Sequence, residues 1–189
     1  MKILVFDNYD SFTYNLVHMV EHILKLKVDV YRNDEIALEK VEAYDKIILS
    51  PGPGIPSEAG LLLPLIKAYG KTKPILGICL GHQAIAEAYG GTIYNLETVY
   101  HGVATPVEPV GETSKIFSGL PNPFMAGRYH SWIVDEKTLP AELEITARDE
   151  NGYIMGLQHK TDAVCGLQFH PESVLTPQGE MIMRNWLSK

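Results

Sequence analysis

The sequence predicts a single α/β domain: a mainly parallel central sheet with helices on both faces and some added antiparallel strands. Three observations carry that expectation. A length of 189 residues suits one domain, since domains usually run to about 100–200 residues. The first half alternates short apolar runs with stretches of helical periodicity, the mark of repeated β-α-β units. The second half holds short strand-like runs separated by turn residues, which adds antiparallel pieces to the parallel core. No internal repeat or linker interrupts the chain, so residues 1–189 are read as one domain.

Residues 3–6, Ile-Leu-Val-Phe, read as a buried strand. Phe12, Leu16, Met19, Val20, Ile23 and Leu24 then recur at helical spacing, with Ser11 placed as the helix N-cap. Residues 28–31 give a second strand, and a short helix near 36–41 leads into a third at 46–49. The loop Ser50-Pro51-Gly52-Pro53-Gly54-Ile55-Pro56 follows, then a helical stretch around 59–68, a fourth strand at 74–78 and a helix at 81–89. Beyond it, segments 92–94, 103–107, 124–129, 143–148, 153–159 and 164–169 read as short strands. Asn151-Gly152 marks a hairpin turn between two of them. Residues 178–187 close the chain with a helix.

Composition narrows the function. Hydrophobic residues make up 46% and charged residues 21%, ordinary values that exclude a disordered protein. Lys and Arg number 16 against 23 Asp and Glu, a net charge of −7, which argues against a nucleic-acid-binding module. No run approaches the roughly 20 apolar residues of a membrane span. The apolar start is cut by Asp7 and Asp10 and is too short for a signal peptide. Cys79 and Cys165 supply neither a disulfide framework nor a Cys-rich zinc site. A reduced, cytoplasmic protein is the expectation.

The strongest chemical signal is Gly77-Ile78-Cys79-Leu80-Gly81, where an apolar strand runs straight into a helix. This is the cysteine form of a nucleophile elbow. The turn is crowded, so small residues stand two positions to either side. The thiol then projects at a helix N-terminus, where the dipole favours the thiolate. The backbone N–H of Leu80 would point at a developing oxyanion. A free cysteine is more often a buried core residue, but the flanking glycines at a strand-to-helix turn favour the nucleophile.

A cysteine nucleophile needs a base. His18 and His22, one turn apart, read as a solvated or packed helix face. His82 lies inside the helix after the elbow and points away from a substrate. His170, in Gln168-Phe169-His170-Pro171-Glu172-Ser173, ends an apolar strand and is biased to extended backbone by Pro171. Residues i and i+2 of an extended chain face one side, so Glu172 can orient the His170 imidazole. His-x-Glu also occurs in zinc deaminases, but both cysteines here precede it and no Cys-x-x-Cys exists. Gly52-Pro53-Gly54 lacks the Gly-Lys-Ser/Thr of a phosphate loop. It ends a strand on the side where the elbow opens, so Gly54 could bring a second N–H to the oxyanion. A plain rigid turn is the alternative.

With these residues in view, Cys79, His170 and Glu172, together with Pro51-Gly52-Pro53-Gly54 and Gly77-Ile78-Cys79-Leu80-Gly81-His82-Gln83, resemble the class I (triad) glutamine amidotransferases. Asp7-Asn8-Tyr9-Asp10-Ser11-Phe12-Thr13-Tyr14-Asn15, Tyr129-His130-Ser131 and Gln168-Phe169-His170-Pro171-Glu172-Ser173 are similar to the glutaminase branch (component II) that serves anthranilate synthase and aminodeoxychorismate synthase. The similarity spans essentially the whole chain. One departure is Val103 after His101-Gly102, where the family usually has lysine; the contacts of that loop are in question, the triad is not.

The resemblance implies a flavodoxin-like fold and the reaction glutamine + water → glutamate + ammonia, with ammonia delivered to a chorismate-binding subunit. Cys79 would be the nucleophile, His170 the acid and base, and Glu172 its orienter. Gly52, Pro53, Gly54, Leu80, Gln83, Ser131 and Trp132 would bind glutamine and the oxyanion. No metal or organic cofactor is implied for this chain, and Mg²⁺ would belong to the partner. Asp10, Ser11 and the loop at 101–105 would lie near the partner. Anthranilate synthesis (tryptophan pathway) and aminodeoxychorismate synthesis (folate pathway) both stay open. So do an independent cysteine amidohydrolase or peptidase, for which Gln83 and Ser131 would be dispensable, and a non-catalytic binding module, which the intact triad disfavours.

Overall fold

The structure is a computed structural model describing residues 1–111 and 114–188. Its strands are β1 (Ile3–Asp7), β2 (Asp29–Arg32), β3 (Lys46–Leu49), β4 (Ile75–Ile78), β5 (Ile93–Pro109), β6 (Phe124–Val134), β7 (Leu143–Asp149), β8 (Ile154–His159) and β9 (Val164–Leu167). Its α-helices are α1 (Thr13–Leu24), α2 (Leu62–Tyr69), α3 (Leu80–Ala88) and α4 (Gly179–Leu187). Among the described residues the strands form one nine-stranded sheet in the order β2-β1-β3-β4-β9-β8-β7-β5-β6. β2, β1, β3, β4 and β9 pair in parallel; β8, β7, β5 and β6 continue the sheet antiparallel.

The parallel strands are apolar throughout because both faces are covered. Side chains alternate between faces along a strand. Ile3 and Val5 of β1 therefore join a cluster with Leu16 and Val20 of α1 and Ile182 and Trp186 of α4. Leu4 and Phe6 join the opposite cluster, with Leu62 and Leu65 of α2 and Ile85 of α3. Two layers of helix thus clamp the sheet and fix its register.

That register brings the carboxyl ends of β1, β3, β4 and β9 to one edge: Asp7, Leu49, Ile78 and Leu167. Open α/β sheets bind ligands at this edge, where the connecting loops gather. The four loops here begin at Asn8, Ser50, Cys79 and Gln168. Every motif singled out in the first half of the sequence, and the His170 segment, leads off this edge.

The structure departs from the sequence expectations in several places. Ser11 does not cap α1. Phe12 stands at the N-cap, and no side chain caps the helix. Just before it the Asp10 carboxylate accepts the Phe12 N–H at 2.9 Å, while Asp7 accepts from the Asp10 N–H and the Thr13 hydroxyl. The tie between Asp7 and Thr13 starts the helix two residues after Ser11, which leaves the serine outside the cap position. The helix expected near 36–41 is a 3₁₀ segment, Leu38–Ala43. The helical stretch expected around 59–68 becomes α2, three residues later at its start, after a separate 3₁₀ turn at Pro56–Glu58. The segments at 92–94 and 103–107 are not separate strands, and 101–105 is not a loop. Both lie in the 17-residue β5, whose pairing with β6 slips between Asn95 and Tyr100 and between His101 and Val103. These bulges let one strand span two stretches of broken alternation. The hairpin at Asn151-Gly152 is present, joining β7 to β8.

Among the described residues no helix is long and apolar enough to cross a membrane.

Candidate active site

β4 passes into α3 with no connecting residue other than Cys79, whose φ of 52° and ψ of −101° lie in a region that costs a non-glycine residue about 1–3 kcal/mol. The surroundings over-determine this conformation. The Cys79 N–H donates to the carbonyl of Leu167 at 2.8 Å, tying the elbow to β9. A Cβ on Gly77 would stand 2.4 Å from the Gly81 carbonyl oxygen, and one on Gly81 would stand 2.7 Å from that of Leu49. The two glycines are thus required by close approach. Cys79 is buried, and α3 places its first N–H groups beside the sulfur.

His170 arrives from the other side of the edge. Its N–H donates to the carbonyl of Gly127 on β6 at 3.0 Å, and its carbonyl accepts from the Thr176 hydroxyl at 2.7 Å. The same hydroxyl accepts the Gly127 N–H at 2.8 Å, so the segment is pinned to β6 from both ends. The structure places Nδ1 of His170 2.7 Å from Oε1 of Glu172, both side chains buried. The rings of Tyr129 and Phe12 pack on the imidazole, with centroids 4.8 and 5.8 Å away. Nε2 has no hydrogen-bond partner among the described residues.

Burial opposes a charged imidazole at this position. The sulfur of Cys79 and the carboxylate of Glu172 outweigh it and push His170 up to about 10. His130 and His82 show the opposite outcome. Burial, aided at His130 by the Arg128 guanidinium, pushes them down to about 3 and about 4. Of the histidines buried in this region, His170 is the one whose neighbours favour the charged form.

A cavity of about 190 Å³ opens over the elbow, lined by Gly52, Pro53, Gly54, Cys79, Leu80, Gln83, Tyr129, His130, Ser131 and Trp132. All seven residues expected to bind substrate or oxyanion therefore share one wall system with the elbow cysteine. Gly54 adopts φ 73°, a left-handed backbone that suits glycine. Nε2 of Gln83 donates to the carbonyl of Trp132 at 2.9 Å. His18 and His22 are exposed on α1, and His82 is buried against Gly166, away from the cavity. Cys165 sits on β9 outside it.

Four neighbours carried no assigned role in the sequence: Phe12, Tyr129, His130 and Gln168. The amide of Gln168 lies 3.6 Å from the Cys79 sulfur. These residues come from β1–α1, β6 and the end of β9, and no local periodicity links such distant segments. Among the described residues no group of three or more His, Cys, Asp or Glu side chains is placed to hold a metal ion.

A strained elbow cysteine, beside a carboxylate-held imidazolium at the carboxyl edge of an α/β sheet, has the parts of a cysteine-nucleophile acyl-transfer enzyme. Comparison with known proteins narrows that class. The sequence model of the family "Glutamine amidotransferase class-I" matches residues 4–189. The chain belongs to the class-I glutamine amidotransferases. It is 45% identical to anthranilate synthase component 2 of Pseudomonas aeruginosa, covering 98% of this chain and 94% of that one. It is 46% identical to aminodeoxychorismate synthase component 2 of Klebsiella aerogenes, covering 99% and 100%. It is also 45% identical to the bifunctional protein TrpGD of Thermotoga maritima over 99% of its own length, but spans only 32% of that protein. A crystal structure from Thermoplasma acidophilum, described as that of a candidate GMP synthase component, superposes with a TM-score of 0.87 at 29% identity, covering 100% of this chain and 92% of that one.

Two outcomes are expected from this geometry. Gly77→Ala forces a Cβ into the Gly81 carbonyl, an overpacking that costs about 1–3 kcal/mol. Chemical denaturation should show that loss, and alkylation of Cys79 should slow; unchanged behaviour in both would mean that the elbow can relax. The second outcome concerns charge. A raised imidazole stabilises the fold fully below its ordinary 6.5 and loses that contribution as pH rises through about 10. Glu172→Gln removes one of the two neighbours that raise it. Titration of the His170 ring resonance by NMR should move to lower pH in this variant, and an unmoved titration would contradict the assignment.

Proposed function

We propose that this chain is the glutaminase subunit of a synthase that aminates chorismate. The observation that carries the reading is the cavity: Cys79 and all seven residues expected to contact glutamine or its oxyanion line the same small space. A cavity of about 190 Å³ has room for a small substrate such as one amino acid.

In this mechanism the sulfur of Cys79 attacks the side-chain carbonyl carbon of glutamine. The C=O π electrons move to oxygen, and the N–H groups of Leu80 and Gly54 receive the oxyanion. His170, already an imidazolium, donates its proton to the leaving nitrogen. The C–N bond breaks, ammonia departs and a γ-glutamyl thioester remains. His170, now neutral, takes a proton from water as it attacks the thioester, and glutamate leaves with the thiolate restored. Glu172 orients the imidazole and offsets its charge through the 2.7 Å contact at Nδ1. Gly52, Pro53, Gly54, Gln83, Ser131 and Trp132 hold the substrate. The reaction as written uses no metal or organic cofactor; Mg²⁺ belongs to the chorismate chemistry of the partner.

The relatives support a partner. Those named component 2 of anthranilate synthase and of aminodeoxychorismate synthase stand at 45% and 46% identity, so similarity favours neither product. We infer a heteromer with a chorismate-binding subunit that receives the ammonia, in the cytoplasm, where the thiol stays reduced. Purifying the native complex and identifying its product from chorismate distinguishes anthranilate from aminodeoxychorismate.

Cys79→Ser should reduce glutamine-dependent synthesis by the complex at least about a thousandfold, as loss of a nucleophile does, while ammonia-dependent synthesis persists. Loss of both activities would make Cys79 structural. Cys165→Ala should retain normal turnover. His170→Ala should slow both thioester formation and breakdown, and Glu172→Gln should cost less, because the imidazole remains. The isolated chain should turn over slowly and be activated by the partner. Tenfold activation requires only about 1.4 kcal/mol of tighter partner binding to the competent conformation. Full turnover by the lone chain, unchanged by any chorismate enzyme, would instead indicate an independent amidohydrolase.

A further inference from the structure

One wall of the cavity, Ser131 and Trp132 on β6, is held by its lining neighbours Gln83 and His130. The carbonyl of Trp132 accepts two hydrogen bonds, from Nε2 of Gln83 at 2.9 Å and from Nδ1 of His130 at 3.1 Å. The other ring nitrogen of His130 accepts the Nε–H of Arg128 at 3.2 Å. A guanidinium can only donate, so Nε2 is bare and the ring proton sits on Nδ1, facing Trp132. Arg128 thereby dictates the tautomer. The direction of the His130 shift, down to about 3, agrees with a neutral ring.

Arg128 is itself fully buried and fixed on several sides. It pairs with Asp149 at 2.8 Å and donates to the Thr105 hydroxyl at 3.3 Å. The Tyr100 ring lies over the guanidinium, 3.5 Å from its carbon, and also stacks on His130 with centroids 5.4 Å apart. Asp149 is anchored in turn by the N–H groups of Asn151 and Tyr153 at the β7–β8 turn. Burying such a pair is costly, and an apolar pair would fill the space without that cost. The network reaches the cavity through His130, which lines it. Beyond the Trp132 carbonyl the contacts continue from Gln83 to Gln168 at 3.4 Å and from Gln168 to the Cys79 sulfur at 3.6 Å.

We propose that Arg128 and His130 are positioning residues for glutamine: the Asp149–Arg128 pair fixes the His130 tautomer, and His130 holds the Trp132 carbonyl so that the Ser131–Trp132 wall keeps its binding geometry. Tyr100, paired with His130 across β5 and β6, clamps both side chains. The proposal rests on the reading of this cavity as the glutamine site.

The test is protection of Cys79 from iodoacetamide by glutamine, measured in the full chain for wild type, His130→Leu and His130→Asn. Asparagine can place an amide N–H where Nδ1 stands, so it restores the bond to Trp132; leucine cannot. His130→Leu should need roughly five- to tenfold more glutamine for half-protection, the effect of one lost positioned hydrogen bond. His130→Asn should stay within about twofold of wild type. Alkylation without glutamine reports whether the elbow is intact, and a general loss of packing would alter it in both variants alike. Equal protection of wild type and His130→Leu would overturn the proposal, and so would equal impairment of the leucine and asparagine variants. If His130→Leu does not fold, Tyr100→Leu on the ribbon makes the same test, and wild-type protection there overturns the proposal. If wild type itself is not protected by glutamine, the glutamine reading of the cavity fails and this proposal falls with it.

Discussion

Everything at the cavity depends on a backbone that turns at Cys79 between two residues without side chains. Gly77 and Gly81 let the end of β4, the start of α3 and β3 approach more closely than any Cβ permits. The strain at Cys79 persists because two helix layers and the Leu167 hydrogen bond hold both sides of the turn. Relaxing the turn would move the sulfur, the Leu80 N–H and the floor of the cavity together. The elbow is thus where the energy of the core becomes geometry at the site.

The second constraint is electrostatic. Three buried histidines lie around the site and end in different states because their neighbours differ. Burial alone leaves His82 neutral, and Arg128 reinforces that outcome at His130. At His170 an anionic carboxylate and the cysteine sulfur overcome the same desolvation. A group able to donate a proton therefore lies beside the elbow cysteine. A neutral imidazole stands between Arg128 and the Trp132 carbonyl. Residue type alone does not separate these roles.

The antiparallel half of the sheet supplies what the parallel half lacks. β6 pins His170 through Gly127, packs Tyr129 on its ring, and contributes Ser131 and Trp132 to the cavity. Its partner β5 leaves Val99 and Val103 exposed along much of its length and turns Tyr100 onto the buried Arg128. Val103 pairs with Arg128 across the ladder beside the bulge at Gly102.

The parallel strands, the elbow and the proximity of His170 to Glu172 follow from local rules that one sequence displays. Apolar runs of strand length, glycines two positions from a cysteine, and an extended His-Pro-Glu need no distant partner to be read. Helix α1 was legible, but its exact start was not, because the helix begins at Thr13, where the hydroxyl meets Asp7 after the chain turns. The length of β5 was hidden because its bulges break the period of two that marks a strand. Phe12, Tyr129, His130 and Gln168 could not be placed, since their neighbours are set by the pairing of strands far apart in sequence. The sequence by itself determined which groups are available for the chemistry. Only the tertiary structure decided which buried histidine favours its charged form and which ring nitrogen of His130 faces the Trp132 carbonyl, because protonation and orientation are set by burial and by charges that the fold alone brings within reach.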